Sequence, residues 1–149
     1  MQRVLLVLCS IFVPVLDYEA ENIEKFNRFH AAYLKCQESP ETSIDEDFLC
    51  DVVINQEVPA EVPESAPNFL LCLAKLLQLQ DEDGNLNSAL IRERIEHHQK
   101  DPNRVAKLMD TCIVQKDTPQ YTTIFMIDCL SREAAKVGLT NVDAMLEVL

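Results

Sequence analysis

Apolar residues return along most of the chain at intervals of three and four, and no stretch alternates apolar with polar for long enough to make a strand. Ile23, Phe26, Phe29 or His30, Tyr33 and Cys36 mark a first amphipathic helix over Asn22 to Cys36. Ser43-Ile44-Asp45-Glu46 reads as a capping box, with serine at the cap and glutamate three residues on, and predicts a second helix through about Asn55 that carries Cys50. Pro59, Pro63 and Pro67 recur every fourth residue, a spacing that excludes helix and strand and predicts an extended loop. The stretch that follows from Phe69 is almost wholly apolar. Its polar positions Asn68, Lys75, Gln78 and Gln80 make one narrow stripe for water, so this third helix is buried on several sides and is central.

The central helix leads into the acidic turn Asp81-Glu82-Asp83-Gly84. Gly84 supplies tolerance of positive φ, and the two aspartates are suited to hydrogen-bonding the turn backbone. Leu86, Leu90, Ile91 and Ile95 then give a fourth helix with Arg92, Glu93, Arg94 and Glu96 outside. Asp101-Pro102 is an N-cap followed by proline at the first helical position, and Val105, Leu108, Met109 and Cys112 follow in register. Thr118-Pro119 repeats that start signal for a sixth helix, in which Tyr121, Phe125 and Cys129 lie one above another and Gly138 is placed as C-cap. Residues 139–149, LTNVDAMLEVL, form a tail or a last short helix. The fold class is therefore all-α, a compact domain of six to seven helices.

The first residues stand apart from this pattern. Arg3 and the apolar run from Val4 to Leu16, broken by Pro14, are too short to span a bilayer and read as a secretory signal peptide over residues 1–20, cleaved between 17 and 21. Residues 21–149 are read as one secreted, extracellular domain. The formal net charge of −12 argues against nucleic acid and anionic membrane surfaces as partners, since both want a basic face. The acidity is spread through the chain, which suits a solvated surface. No Asn-x-Ser/Thr acceptor occurs.

Of the six cysteines, Cys9 leaves with the leader. Cys36, Cys50, Cys72, Cys112 and Cys129 then make two bridges and one spare thiol in an oxidising compartment, and spacing alone allows about 15 pairings. Four of them fall on apolar faces or their edges, and Cys50 follows Phe48-Leu49 where a buried thiol is tolerable.

At this point the sequence resembles the insect odorant-binding proteins of the pheromone-binding type. Cys72 stands in the register of that family's third cysteine, Cys112 of its fourth, Cys129 of its sixth and Cys36 of its first, and the DEDG turn falls where the family often has a similar acidic turn. The second cysteine position falls on Asn68 and the fifth on Gln120, so the chain resembles the C-minus subclass, which lacks both. The resemblance implies bridges Cys36–Cys72 and Cys112–Cys129, with Cys50 an extra free thiol. It implies a secreted carrier that reversibly binds small hydrophobic ligands, odorants or pheromones or similar, in a cavity between helices. Its implied partners are the ligand and a membrane chemosensory receptor, with no membrane insertion and a monomer or weak homodimer as the assembly.

Without the second-to-fifth bridge, typically worth about 2 to 4 kcal/mol, the domain is expected either to be less stable than a six-cysteine relative or to compensate by packing. The helix around Gln120 is accordingly expected to shift more easily against the central helix. Candidate cavity walls are the inward apolar positions Phe69, Leu73, Leu76, Leu77, Leu90, Ile91, Met109, Tyr121, Ile124 and Phe125, with Met145 and Leu149 of the tail as a lid. Each of these serves equally as plain core. Burial of apolar ligand area, at about 25 cal/mol per Å², would drive binding.

Other chemistry does not assemble. No cofactor and no catalytic set is expected, because nothing in the spacing pairs Cys50 with His30 as thiol and base. An EF-hand reading of the acidic turn puts Leu79 and Leu90 where calcium needs carboxylates. His97 and His98, adjacent on a helix, point about 100° apart and read as a solvated pair rather than metal ligands. A secreted interaction module, signalling bundle or saposin-like lipid binder is the alternative, although saposins keep three bridges at a different spacing.

Overall fold

The computed structural model describes residues 20–53 and 61–138, apart from the side chains at 20–22, 50, 52 and 53. Most of the expected leader, the Cys50 thiol, Asn55, Pro59, and the tail with Met145 and Leu149 lie outside the described residues. The described chain is all-α: α1 (Ala20–Cys36), α2 (Glu46–Val53), α3 (Ala66–Leu76), α4 (Ser88–His98), α5 (Pro102–Cys112) and α6 (Pro119–Ala135). Two of the three capped helix starts that the sequence announces are made by the residues it names. Asp101 accepts a hydrogen bond from the Asn103 amide at 2.9 Å and Thr118 one from the Tyr121 amide at 3.1 Å, each ahead of a first-turn proline. Gly138, at φ +77°, follows α6 and donates its amide to Ala135 O at 3.1 Å.

Three local expectations are corrected. The cap of α2 is Asp45, whose carboxylate accepts from the Asp47 amide at 2.9 Å, and not Ser43. The reason lies one residue on from Ser43. Gln37 donates Nε2 to Ile44 O and accepts from the Ile44 amide, both at 2.8 Å, and this two-way pairing holds Ile44 out of helical conformation. Pro67 does not lie in an extended loop but in the first turn of α3, where its missing amide donor is harmless. Finally, α3 ends at Leu76, and Gln78 adopts φ +62°, so Gln78 and Gln80 do not continue its solvent stripe.

The consequence for Gln80 is burial. Its side chain is only 2% exposed and reaches from the end of the α3 turn into the start of α6. Nε2 donates to Gly84 O at 2.8 Å and to Pro119 O at 3.1 Å, while Oε1 accepts from the Thr123 hydroxyl. Gln115 extends the group: it donates to Gly84 O at 3.1 Å and to Thr122 Oγ1 at 3.2 Å, and accepts from the Leu86 amide at 3.0 Å. Thr122 and Thr123 are fully buried. The acidic turn fits tightly here, since a Cβ added at Gly84 would stand 2.4 Å from Pro119 Cβ, and Gly84 is at φ +85°. This cluster of satisfied polar groups clasps the end of α3 to the start of α6.

Around the clasp the apolar faces close. Phe69, Leu73 and Ala74 of α3, Ile91 and Ile95 of α4, Val105 and Leu108 of α5, and Met126 and Leu130 of α6 are buried in one core. α3 packs on α6 and on α1, and α5 packs on α6 and α4. Cys36 bonds Cys72, joining α1 to α3 across a Cα separation of 5.9 Å, and Cys112 bonds Cys129, joining α5 to α6 across 5.3 Å.

Where the family's remaining bridge would lie, Gln120 Nε2 donates to Asn68 Oδ1 at 3.2 Å. The pair is exposed and contributes little. The buried clasp one turn away ties the same two helices more firmly, so α6 is held at Gln80 and Thr123 rather than left loose at Gln120.

The α3–α6 contact yields three predictions. Gln80→Ala removes one of two donors to Gly84 O and to Pro119 O, which keep Gln115 Nε2 and the Thr123 hydroxyl, and leaves a void in the interior, so urea unfolding is expected to show a loss of roughly 1 to 3 kcal/mol. Gly84→Ala, which adds steric overlap at positive φ, is expected to lose at least about 1 kcal/mol and to be less than additive with Gln80→Ala, because the two share the Gly84 carbonyl. The pair Asn68→Cys with Gln120→Cys is expected to close a third bridge under oxidising conditions and to raise stability by about 2 to 4 kcal/mol. Two persistently alkylatable new thiols in mass analysis would contradict that placement.

Candidate ligand-binding site

The second half of α1 faces the approach to α2 across a cleft of about 360 Å³, lined by Tyr33, Leu34, Gln37, Ile44, Asp45, Glu46 and Asp47. The Gln37–Ile44 pairing that displaces the α2 cap is part of its lining. Gln37 Nε2 lies 2.8 Å from the Tyr33 hydroxyl and donates to it. Burial, together with the nearby Glu46 carboxylate, pushes the Tyr33 phenol above its ordinary range, so this hydroxyl stays protonated. The cleft thus joins an apolar wall to an acidic rim. Its lining includes no thiol and no imidazole, and among the described residues no group of histidine, cysteine and carboxylate side chains is placed to hold a metal.

None of the wall residues expected from the sequence lines this cleft. Of those among the described residues, most lie deeper, in the core of α3 to α6. Phe69 and Ile91 are fully buried, and Leu73, Leu77 and Met109 nearly so. Leu90, Ile124 and Phe125 are half-buried, with the Lys116 ammonium 3.7 Å from the centre of the Phe125 ring. Leu76 and Tyr121 are 46% and 51% exposed and lie on the outside. Leu76 is the last residue of α3, where the chain turns away, and Tyr121 is in the first turn of α6 on the face opposite the buried Thr122 and Thr123, so helical spacing alone misassigned both.

The cleft and the core meet at Tyr33. Its ring packs edge-on against Phe69 of α3, with centroids 6.0 Å apart and planes at 81°. On α1 itself, Phe26, His30 and Tyr33 present nearly parallel rings, with centroid spacings of 6.3 and 6.5 Å. Helical spacing allows either Phe29 or His30 on the apolar face of α1; both face inward, Phe29 being buried and His30 half-buried. Gln80, which the pattern puts on the solvent stripe, is buried. Its only sequence signal is a polar residue straight after an apolar run, which solvent exposure explains equally well.

The chain matches the PBP/GOBP family over residues 17–133. Among curated proteins it is similar to the B2 and B1 proteins of Tenebrio molitor, each 27% identical over 64 residues. The matched segment is 43% of this chain and 50% of the B2 protein and 49% of the B1 protein, so the chain spans about half the length of the curated relatives it matches. No solved structure is significantly similar. With the family match running from the first helix to the end of the sixth, on an all-helical frame bridged from α1 to α3 and from α5 to α6, the chain belongs to the PBP/GOBP family, that of the insect odorant-binding proteins.

Proposed function

We propose that this protein is a secreted carrier that reversibly takes up small hydrophobic ligands, odorants, pheromones or similar molecules, between α1 and the α3 to α6 helices. The family match over residues 17–133 carries this reading, because PBP/GOBP proteins are small-ligand carriers rather than enzymes. The apolar interior supports it. Phe69, Leu73, Leu77, Ile91 and Met109 lie in an apolar core that would favour an apolar guest by burial, and the half-buried Leu90, Ile124 and Phe125 lie at its margin. Met145 and Leu149 are proposed to cover it. A leader over residues 1–20 would deliver the chain to an oxidising compartment in which its two bridges persist and Cys50 remains a thiol. No helix among the described residues is long and apolar enough to cross a membrane, as a diffusing carrier requires. A chemosensory receptor is proposed as downstream partner, and a monomer or weak homodimer as the working form.

Uptake of an apolar fluorescent dye tests this directly. The mature protein is expected to bind the dye with a blue-shifted, enhanced emission and to release it when a small volatile or fatty ligand is added. An absence of dye uptake together with an absence of competition contradicts the carrier reading.

A further inference from the structure

One buried polar atom in the described structure lacks any partner, and it belongs to His30. Its Nε2 is closed off from solvent and makes no hydrogen bond, whereas every other buried side-chain nitrogen or oxygen among the described residues is satisfied. In the clasp, Gln80, Thr122 and Thr123 are more deeply buried and each has its partners. A buried donor or acceptor left unpaired typically costs about 1 to 3 kcal/mol, and native interiors meet such an atom with protein, water or a ligand.

The surroundings of His30 say what would meet it. The ring lies between the parallel rings of Phe26 and Tyr33 on α1, and Tyr33 passes the aromatic contact on to Phe69 of the core. An atom at that place is flanked by apolar faces. A molecule that reaches it must therefore be largely apolar and carry a single small polar group. Neutral imidazole Nε2 either donates or accepts according to tautomer, and a hydroxyl can answer both.

We propose that His30 Nε2 is the polar anchor of the ligand site and that the preferred ligands are apolar alcohols whose hydroxyl pairs with it. The inference rests on the carrier reading and gives that reading a ligand class. Phe26 and Tyr33 hold the imidazole in place by stacking, so the anchor is preformed, and the alkyl part of the ligand lies against the apolar interior.

The test compares the mature protein with His30→Phe, which keeps an aromatic ring between Phe26 and Tyr33 and removes only the polar edge. Both are loaded with an apolar fluorescent dye and titrated with 1-octanol and with n-octane. In the His30→Phe protein the affinity for 1-octanol is expected to fall about five- to tenfold, the worth of one hydrogen bond, while the affinity for n-octane is unchanged or rises. In the unaltered protein, the imidazole 15N resonance of Nε2 is expected to move on saturation with 1-octanol and to stay in place with n-octane. Equal changes for the two competitors, or none, overturn the proposal. So does an Nε2 resonance that 1-octanol leaves in place, which means that the atom is met by water only. Dye uptake separates the two levels: if the dye binds and these comparisons fail, the anchor is wrong and the carrier reading stands, whereas an absence of dye uptake refutes the carrier reading itself.

Discussion

Gln80 sits at the point where the acidic turn, the end of α3 and the start of α6 meet, and the arrangement of the helices follows from how its amide is satisfied. Both ends of that amide are engaged in a place that is almost closed to water. A buried amide of this kind stabilises only when every group has its partner, and it then fixes one arrangement in a way that apolar contact does not. Slide α6 along α3 and the bonds of Gln80 to Pro119 O and from Thr123 break together, with no water at hand to replace them. The tight fit of Gly84 against Pro119 makes the same demand by steric means.

The covalent bridges divide the labour with this clasp. One ties α1 to α3 and the other ties α5 to α6, so neither crosses the α3–α6 contact. In the family's six-cysteine pattern a third bridge would do so at Asn68 and Gln120. Here an exposed hydrogen bond occupies that place, and the polar cluster just beneath it secures the two helices. The lost bridge acts mainly on the unfolded chain, whereas the clasp acts on the native packing, so the two do not stabilise in the same way. With the frame held by α3 and α6, α1 is tethered at its C-terminal Cys36 and presents His30 and Tyr33 along its length. A preformed edge of this sort is what a carrier of small apolar molecules needs, because ordering the site on binding would consume affinity.

What the sequence made legible was local. Asp101-Pro102 and Thr118-Pro119 announce α5 and α6 because a cap and a first-turn proline act within a single turn, with no help from the rest of the fold. The all-α class was legible for a similar reason, since the apolar period survives packing. Ser43 failed as a cap because a glutamine seven residues away takes up the backbone of Ile44. Gln80 failed as a surface residue because Gln78 turns left-handed and sends the chain inward, which no periodicity records. Of the candidate wall residues, Phe69, Leu73, Leu77, Ile91 and Met109 are buried as their spacing predicts, while Leu76 and Tyr121 are exposed at helix ends where the spacing no longer reports the face. The partnerless nitrogen of His30 was invisible, because a missing partner becomes apparent only when all the neighbours are in place.

Native-state hydrogen exchange on the ligand-free protein tests the clasp most directly, since it reads whether α6 opens from α3 separately from global unfolding. The amides of Thr122 and Thr123 are expected to exchange only through global unfolding, at the same free energy as the slowest amides of α3. Exchange of these two by a local opening, about a hundredfold or more faster than α3, would show that α6 is not held there and would contradict the account.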